Sequence, residues 1–356
     1  MVPVTLRVTS QPIARANPEL LNLRYAQGAA RQKVSIALEN RGLGVLTISG
    51  ASASTASGGD WLAAEALPQF GLAQATINPG ILAPGAYRGA IAISSNAANG
   101  PVSVPVQLDV VAQGPPRAHA GQVMNNGVFT PEDTVAQGAI AAVFGEQFLL
   151  KDAVAGPVPL RTEVEGVQVL VNDRPAPIYY VSYGQINFQI PYETRPGEAL
   201  VRVVRDGRRG NAISVPVDAA APRLLRLNIG EYGIADNEDR SFPIPPTPGL
   251  KSHPAKPGDV LVFYAVGLGP TVPAVETGAG APASPLARIT PPPVLSFTSL
   301  FAGTTVEPLF AGLTPGFVGL YQINVRVPGD SPTGDRVRIQ LRQGDAASNV
   351  VLIAVQ

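Results

Sequence analysis

The sequence predicts an all-β chain of three tandem β-sandwiches, the last two being an internal duplication. Three observations lead there. First, the stretch Tyr183-Gly-Gln-Ile-Asn-Phe-Gln-Ile-Pro191 returns as Leu320-Tyr-Gln-Ile-Asn-Val-Arg-Val-Pro328. In both copies apolar and polar residues alternate, with Ile186, Phe188 and Ile190 on one face and Ile323, Val325 and Val327 on the matching face. This is the period of a half-buried strand, and the closing proline ends it. Second, no stretch carries the spacing of a long amphipathic helix. Third, 37 glycines and 36 prolines in 356 residues separate short apolar runs, as in a protein built from many turns.

The elements follow in order. Residues 1–12 read as the final strand of a preceding repeat, because Val2, Val4, Leu6 and Val8 match Val104, Val106, Leu108 and Val110. Residues 13–113 read as one sandwich. Its strands are expected at Leu21 and Leu23, at Val34, Ile36 and Leu38, over residues 45–48, at Ile91 and Ile93, and from Val102 to Leu108, spaced by turn signals. Residues 114–123 read as a Pro/Gly-rich linker holding His119. The second sandwich is expected over 124–218. It has a strand over 138–148, alternation at Val167, Val169 and Val171, a turn at Asn172-Asp173, the motif strand, and a closing hairpin over 200–217 turning at Asp206-Gly207. The third, over 219–356, repeats the plan: a strand over 257–270, a turn at Phe301-Ala-Gly303, the second motif strand and a last strand over 348–355. Between them, residues 268–293 read as a long irregular loop.

Several motifs resemble known families. Gly59-Asp-Trp-Leu62, Pro84-Gly-Ala-Tyr-Arg-Gly89 and Val104-Pro-Val-Gln-Leu108 resemble the BACON domain, a bacterial Ig-like module whose name proposes carbohydrate binding. The glycine-bounded strand over 138–148 and the valine strand after it resemble the IPT/TIG branch of Ig-like folds. Across residues 124–356, five spaced motifs resemble the acidobacterial, Solibacter-type C-terminal domain. They are the run ending at Pro191, Pro254-Ala-Lys-Pro-Gly-Asp-Val260, Val266-Gly-Leu-Gly-Pro270, Gly319-Leu-Tyr-Gln-Ile-Asn-Val325 and Ser348-Asn-Val350. The resemblance implies three Ig-like sandwiches in a secreted or cell-surface bacterial chain and no assigned activity. Asp236-Asn-Glu-Asp-Arg-Ser241 departs from the shorter turn of that family.

Composition narrows the function classes. The chain is 45% hydrophobic and 15% charged, with 26 basic and 26 acidic residues. A balanced charge argues against a nucleic-acid partner, whose phosphates demand a basic excess. The cluster Arg202, Arg205, Arg208 and Arg209 surrounds the Asp206-Gly207 turn and reads as solvated. With no cysteine there is no disulfide or thiolate chemistry. No apolar run is long enough to span a bilayer, and no signal peptide opens the sequence.

A nucleophile–base set is not legible. His119 and His253 are the two histidines, and neither has an evident Asp or Ser partner in sequence. Glu163 and Glu165, two apart, would share a strand face, so a glycosidase pair is one reading and solvation the blander one. Asp236, Glu238 and Asp239 offer oxygens to a cation such as calcium but lack the order of a calcium loop, so no metal and no cofactor is expected. Tyr179, Tyr180, Tyr183 and Tyr192 are the candidate sugar platform, with Tyr179 and Tyr180 on opposite faces and one of them exposed. Trp61 is read as core, with a sugar platform as the alternative, and Tyr87 as a corner tie. Gln185, Asn187, Gln322 and Asn324 could line matched ligand grooves or bond nearby loop backbone; their repetition suits structure better.

The expectation is a non-enzymatic, secreted or surface-displayed chain for adhesion or ligand presentation, to glycans or other surface proteins. Two alternatives stand beside it: accessory modules of a larger carbohydrate-active enzyme, and a filament subunit joined by strand exchange. A monomer is favoured over the strand-exchange polymer.

Overall fold

In the computed structural model, residues 10–129, 134–300 and 302–356 are described. Of residues 1–12, expected as the final strand of a preceding repeat, the first nine lie outside these ranges, and so does Phe301. The chain divides into two compact units, residues 1–114 and 115–356.

The first unit is a sandwich of two four-stranded sheets. One runs Ala14–Asn17, Gln32–Asn40, Leu72–Ile77, Leu62–Leu67; the other runs Leu21–Ala26, Val102–Val111, Gly85–Ser95, Ile48–Thr55. The first two short strands belong to different sheets, and Leu21–Ala26 joins the last strand in parallel, with Leu21 opposite Val106. The inward residues are the alternating ones: Ile36, Ile77, Ile91, Ile93, Val104, Val106 and Leu108 are almost wholly buried. Two strands escape the alternation pattern. Leu62–Leu67 and Leu72–Ile77 are rich in alanine, so their inward faces (Ala73 and Ala75 among them) carry little hydrophobic contrast. The strand expected over 45–48 begins instead at Ile48. Asn96 takes the preceding backbone out of the ladder: its side chain accepts from Thr47 N at 2.8 Å and donates to the Val45 carbonyl at 2.9 Å.

The second unit holds two sandwiches of one plan. In the first of them, Gln185–Gln189 is a central strand between Ile140–Glu146 and Ile178–Val181; in the second, Tyr321–Arg326 lies between Val260–Val266 and Phe310–Leu313. The registers correspond. Phe144 faces Gln185 as Tyr264 faces Gln322, and Ala142 faces Asn187 as Val262 faces Asn324. At the strand ends, Gly138 N donates to the Ile190 carbonyl and Gly258 N to the Val327 carbonyl, both at 2.9 Å. Inward, Ile186, Phe188, Ile190, Ile323, Val325 and Val327 are buried, each worth about 1.5–3 kcal/mol relative to exposure.

A pair of asparagines repeats the plan further. Asn211 accepts from Ala118 N and donates to the Ala118 carbonyl, both at 2.9 Å; Asn349 does the same with Leu224, at 2.9 and 3.1 Å. Each clamps the opening strand of its sandwich to the closing hairpin. This corrects the linker expected over 114–123, because Arg117–Asn125 is a strand paired with Ile140–Glu146. The Pro/Gly-rich composition ends at Pro116, and the clamp supplies the hydrogen bonds that the sequence pattern does not reveal.

Three two-residue hairpin turns have both central residues at positive φ: Glu165-Gly166, Asn172-Asp173 and Asp206-Gly207. The arginines around the last are not all solvated. Arg205 is 5% exposed and its guanidinium donates to the Gln147 carbonyl, since it lies on the buried side of the hairpin. Arg209 pairs with Asp173 at 2.9 Å. Among the described residues, no helix is long and apolar enough to cross a membrane.

Candidate functional site

The tyrosines expected to form an exposed platform are mostly absorbed by the seam between the two sandwiches of the second unit. The register of Ile178–Val181 slips between Ile178 and Tyr180, so simple alternation fails at Tyr179. Tyr179 reaches across and donates to the Val318 carbonyl at 2.5 Å. Burial pushes its phenol up to about 12. Tyr192 lies over Gly138, where a Cβ would stand 1.9 Å from the ring, and its backbone N donates to Thr277 Oγ1 at 3.0 Å. Tyr321, fully buried, donates to the Gly269 carbonyl at 2.5 Å beside the Tyr192 phenol, and burial raises both phenols. Tyr183 is buried as well. Tyr180 alone of the four stays on an outer sheet face, half-buried, opposite Asn187.

Gln189 completes the seam. At 1% exposure, its Oε1 accepts from Gly278 N at 2.7 Å and its Nε2 donates to the Gly138 carbonyl at 3.1 Å. Leu160 N donates to the Gly278 carbonyl at 2.8 Å. The irregular segment over 268–293 is therefore a docking loop, held to the preceding sandwich by the Gly278 backbone and the Thr277 hydroxyl. A buried amide left without these partners would cost about 1–3 kcal/mol, so the seam is specific in register.

The repeated amides do something the sequence did not suggest. Instead of bonding loop backbone, they bond each other along the strand. Gln185 Nε2 donates to Asn187 Oδ1 at 2.7 Å and Gln322 Nε2 to Asn324 Oδ1 at 3.3 Å. All four side chains are half-buried on the outer face of their sheets.

The acidic loop is a network already neutralised from within. Asp239 Oδ1 accepts from the Ser241 hydroxyl at 2.6 Å and backbone N at 3.0 Å; Lys251 Nζ is 3.2 Å from Oδ2 and His253 Nε2 is 3.4 Å from Oδ1. The Ser241 hydroxyl and backbone bonds hold this carboxyl well below its usual range. His253 thus has an acidic neighbour that sequence reasoning missed, 14 positions away across the loop. The arrangement is still no triad, because the Ser241 hydroxyl is committed to Asp239 and also accepts from Asn237. Asp236 accepts from the Tyr264 phenol at 3.1 Å and pairs with Arg240, while Glu238 is exposed. No group of three His, Cys, Asp or Glu side chains able to hold a metal occurs among the described residues.

The remaining candidates separate. Glu163 opens its two-residue strand and accepts from Gln168 at 2.8 Å, whereas Glu165 occupies the hairpin turn at φ 49 and pairs with Lys151. They do not share a strand face, because Glu165 already lies in the turn. His119 is on a strand rather than in a linker, 3.4 Å from Glu146. Trp61 is 1% exposed, donates its indole N–H to the Ser57 carbonyl at 2.9 Å, and meets Tyr87 edge-on at 6.4 Å. Tyr87 donates to the Ala83 carbonyl at 2.9 Å.

No family model matches the chain, and no curated protein matches it. Solved structures do. A Bacteroides ovatus surface protein, SGBP-B of the mixed-linkage glucan utilization locus in complex with a heptasaccharide, aligns over 100% of this chain and 69% of its own at 13% identity and a TM-score of 0.30. The fibronectin(III)-like modules of Clostridium thermocellum CbhA align over 58% of this chain and 94% of theirs, at 11% identity and TM-score 0.21. A set of titin domains covers 98% of this chain and 100% of its own at 10% identity and TM-score 0.20.

Proposed function

We propose that this is a non-enzymatic, secreted or surface-displayed chain of Ig-like sandwiches that binds and presents a ligand, a glycan before a protein. The reading keeps the first sandwich as BACON-like and the second unit as Solibacter-type. One observation carries it. The side chains with chemical potential are tied into holding loops and seams, as Asp239, Ser241 and His253 are, while polar side chains repeated in both copies stay half-exposed on outer sheet faces. Such faces suit reversible polar contact with a neutral surface.

The test is co-sedimentation of the purified chain with insoluble polysaccharides, alongside an assay for released reducing ends. The expected result is retention without turnover. Turnover that persists through purification and disappears in Glu163→Gln or Asp239→Asn would overturn the reading.

A further inference from the structure

The two amide pairs sit in matched surroundings. Their inward neighbours face the cores, so Gln185, Asn187, Gln322 and Asn324 project outward. In each copy an aromatic ring on one flanking strand lies directly opposite the glutamine, and a second ring on the other flanking strand lies opposite the asparagine. The first positions are Phe144 and Tyr264; the second are Tyr180 and Phe310. Each pair of amides therefore runs diagonally between two rings, one a phenylalanine and one a tyrosine.

The phenylalanine is capped in both copies. Phe129 meets Phe144 edge-on at 5.2 Å, and the Arg288 guanidinium lies 4.8 Å over Phe310. The tyrosine is left half-buried in both, and each phenol adjoins a carboxylate: Asp152 at Tyr180 and Asp236 at Tyr264. The bond within each amide pair fixes which way the amides point. It leaves one glutamine carbonyl and one asparagine NH₂ with no partner among the described residues. A half-exposed ring beside one fixed acceptor and one fixed donor is what a pyranose needs: its C–H face lies on the ring, one hydroxyl donates and its neighbour accepts. The amides carry no charge, so the contacts they offer suit neutral hydroxyls.

We propose that these two faces, Tyr180 with Gln185 and Asn187, and Tyr264 with Gln322 and Asn324, are equivalent binding sites for a neutral polysaccharide. This rests on the ligand-presenting reading above and assigns its site. Both copies lie in one compact unit, and a polymer that reaches both gains avidity over either face alone.

Isothermal titration of the full chain with xyloglucan, glucomannan and laminarin tests it. At least one polymer should bind with two sites per chain. Tyr264→Ala with Gln322→Ala should leave one site. Adding Tyr180→Ala with Gln185→Ala should remove the second site too, weakening the remaining binding by at least about tenfold, since each lost contact alone is of that order. Asn324→Leu, which keeps the branched side-chain shape and removes the donor, should also lose the third-sandwich site, with an unchanged thermal transition as the folding control. Binding to none of the three polymers overturns the proposal. So does full two-site binding by the fourfold variant; that result would leave the non-enzymatic reading standing, since the latter fails on turnover.

Discussion

Replacing Trp61 with alanine should strongly destabilise the first sandwich. A tryptophan buries roughly 150–250 Å². At about 25 cal/mol per Å² this is worth about 4–6 kcal/mol, an upper bound because unfolded chains already bury some of it. Alanine recovers a part, and the indole N–H bond to the Ser57 carbonyl returns about 1 kcal/mol to the cost. The net loss is about 3–5 kcal/mol, against a whole-domain stability of about 5–15 kcal/mol. Collapse around the void is limited, because Tyr87 is held by its own bond to Ala83. For a domain of this size such a loss lowers the midpoint by about 15 °C or more. Calorimetry reads it, and the wild-type transition of this unit is identified by the fluorescence of Trp61, the one tryptophan in the chain. A loss below about 0.5 kcal/mol, within the range of ordinary surface substitutions, accompanied by lost polysaccharide binding, would make the indole a ligand platform instead of core.

Three further outcomes are expected. Asn211→Ala and Asn349→Ala should each destabilise the second unit by about 1–3 kcal/mol, and by similar amounts, since each removes two backbone bonds of the same kind; chemical denaturation measures both. The Tyr179 phenol ionises near 12 when folded and near its ordinary value of 10 when unfolded. Its contribution is therefore fully present below pH 10 and lost as pH rises through about 12; Tyr179→Phe should flatten that part of the stability–pH curve. Asp239→Asn should loosen residues 236–253 toward limited proteolysis, and acidification of the wild type should do the same, because a depressed carboxyl stabilises only while it is ionised.

The duplication was legible because it lives in period-two alternation, and a strand with one buried face cannot slip register without turning Ile186 and Phe188 outward. The hairpin turns were legible for a related reason: Asn-Asp and Asp-Gly tolerate the positive φ that such turns demand. What stayed hidden lies in contacts distant in sequence. Nothing local marks Asn211 as the clamp on Ala118, so residues 117–123 read as linker. Only the final Ser-Asn-Val hinted at its twin. The alanine-rich strands at Leu62–Leu67 and Leu72–Ile77 lack hydrophobic contrast. Tyr179 and Tyr192 read as surface residues because their partners are distant in sequence: Tyr179 bonds the Val318 carbonyl, and Tyr192 lies beside the 268–293 loop at Thr277, next to the backbone contacts of Gly278. The diagonal rings around the amides needed the register of three strands at once.

Hydrogen exchange of the full chain, with and without saturating xyloglucan, glucomannan or laminarin, locates the surface that holds the polymer. Sheet edges and outer faces that contact polymer exchange more slowly, in proportion to occupancy. Protection is expected to be confined to peptides covering residues 178–189, 260–266 and 321–326. Protection centred on residues 59–89 around Trp61, or none with any of the three polymers, would contradict that expectation.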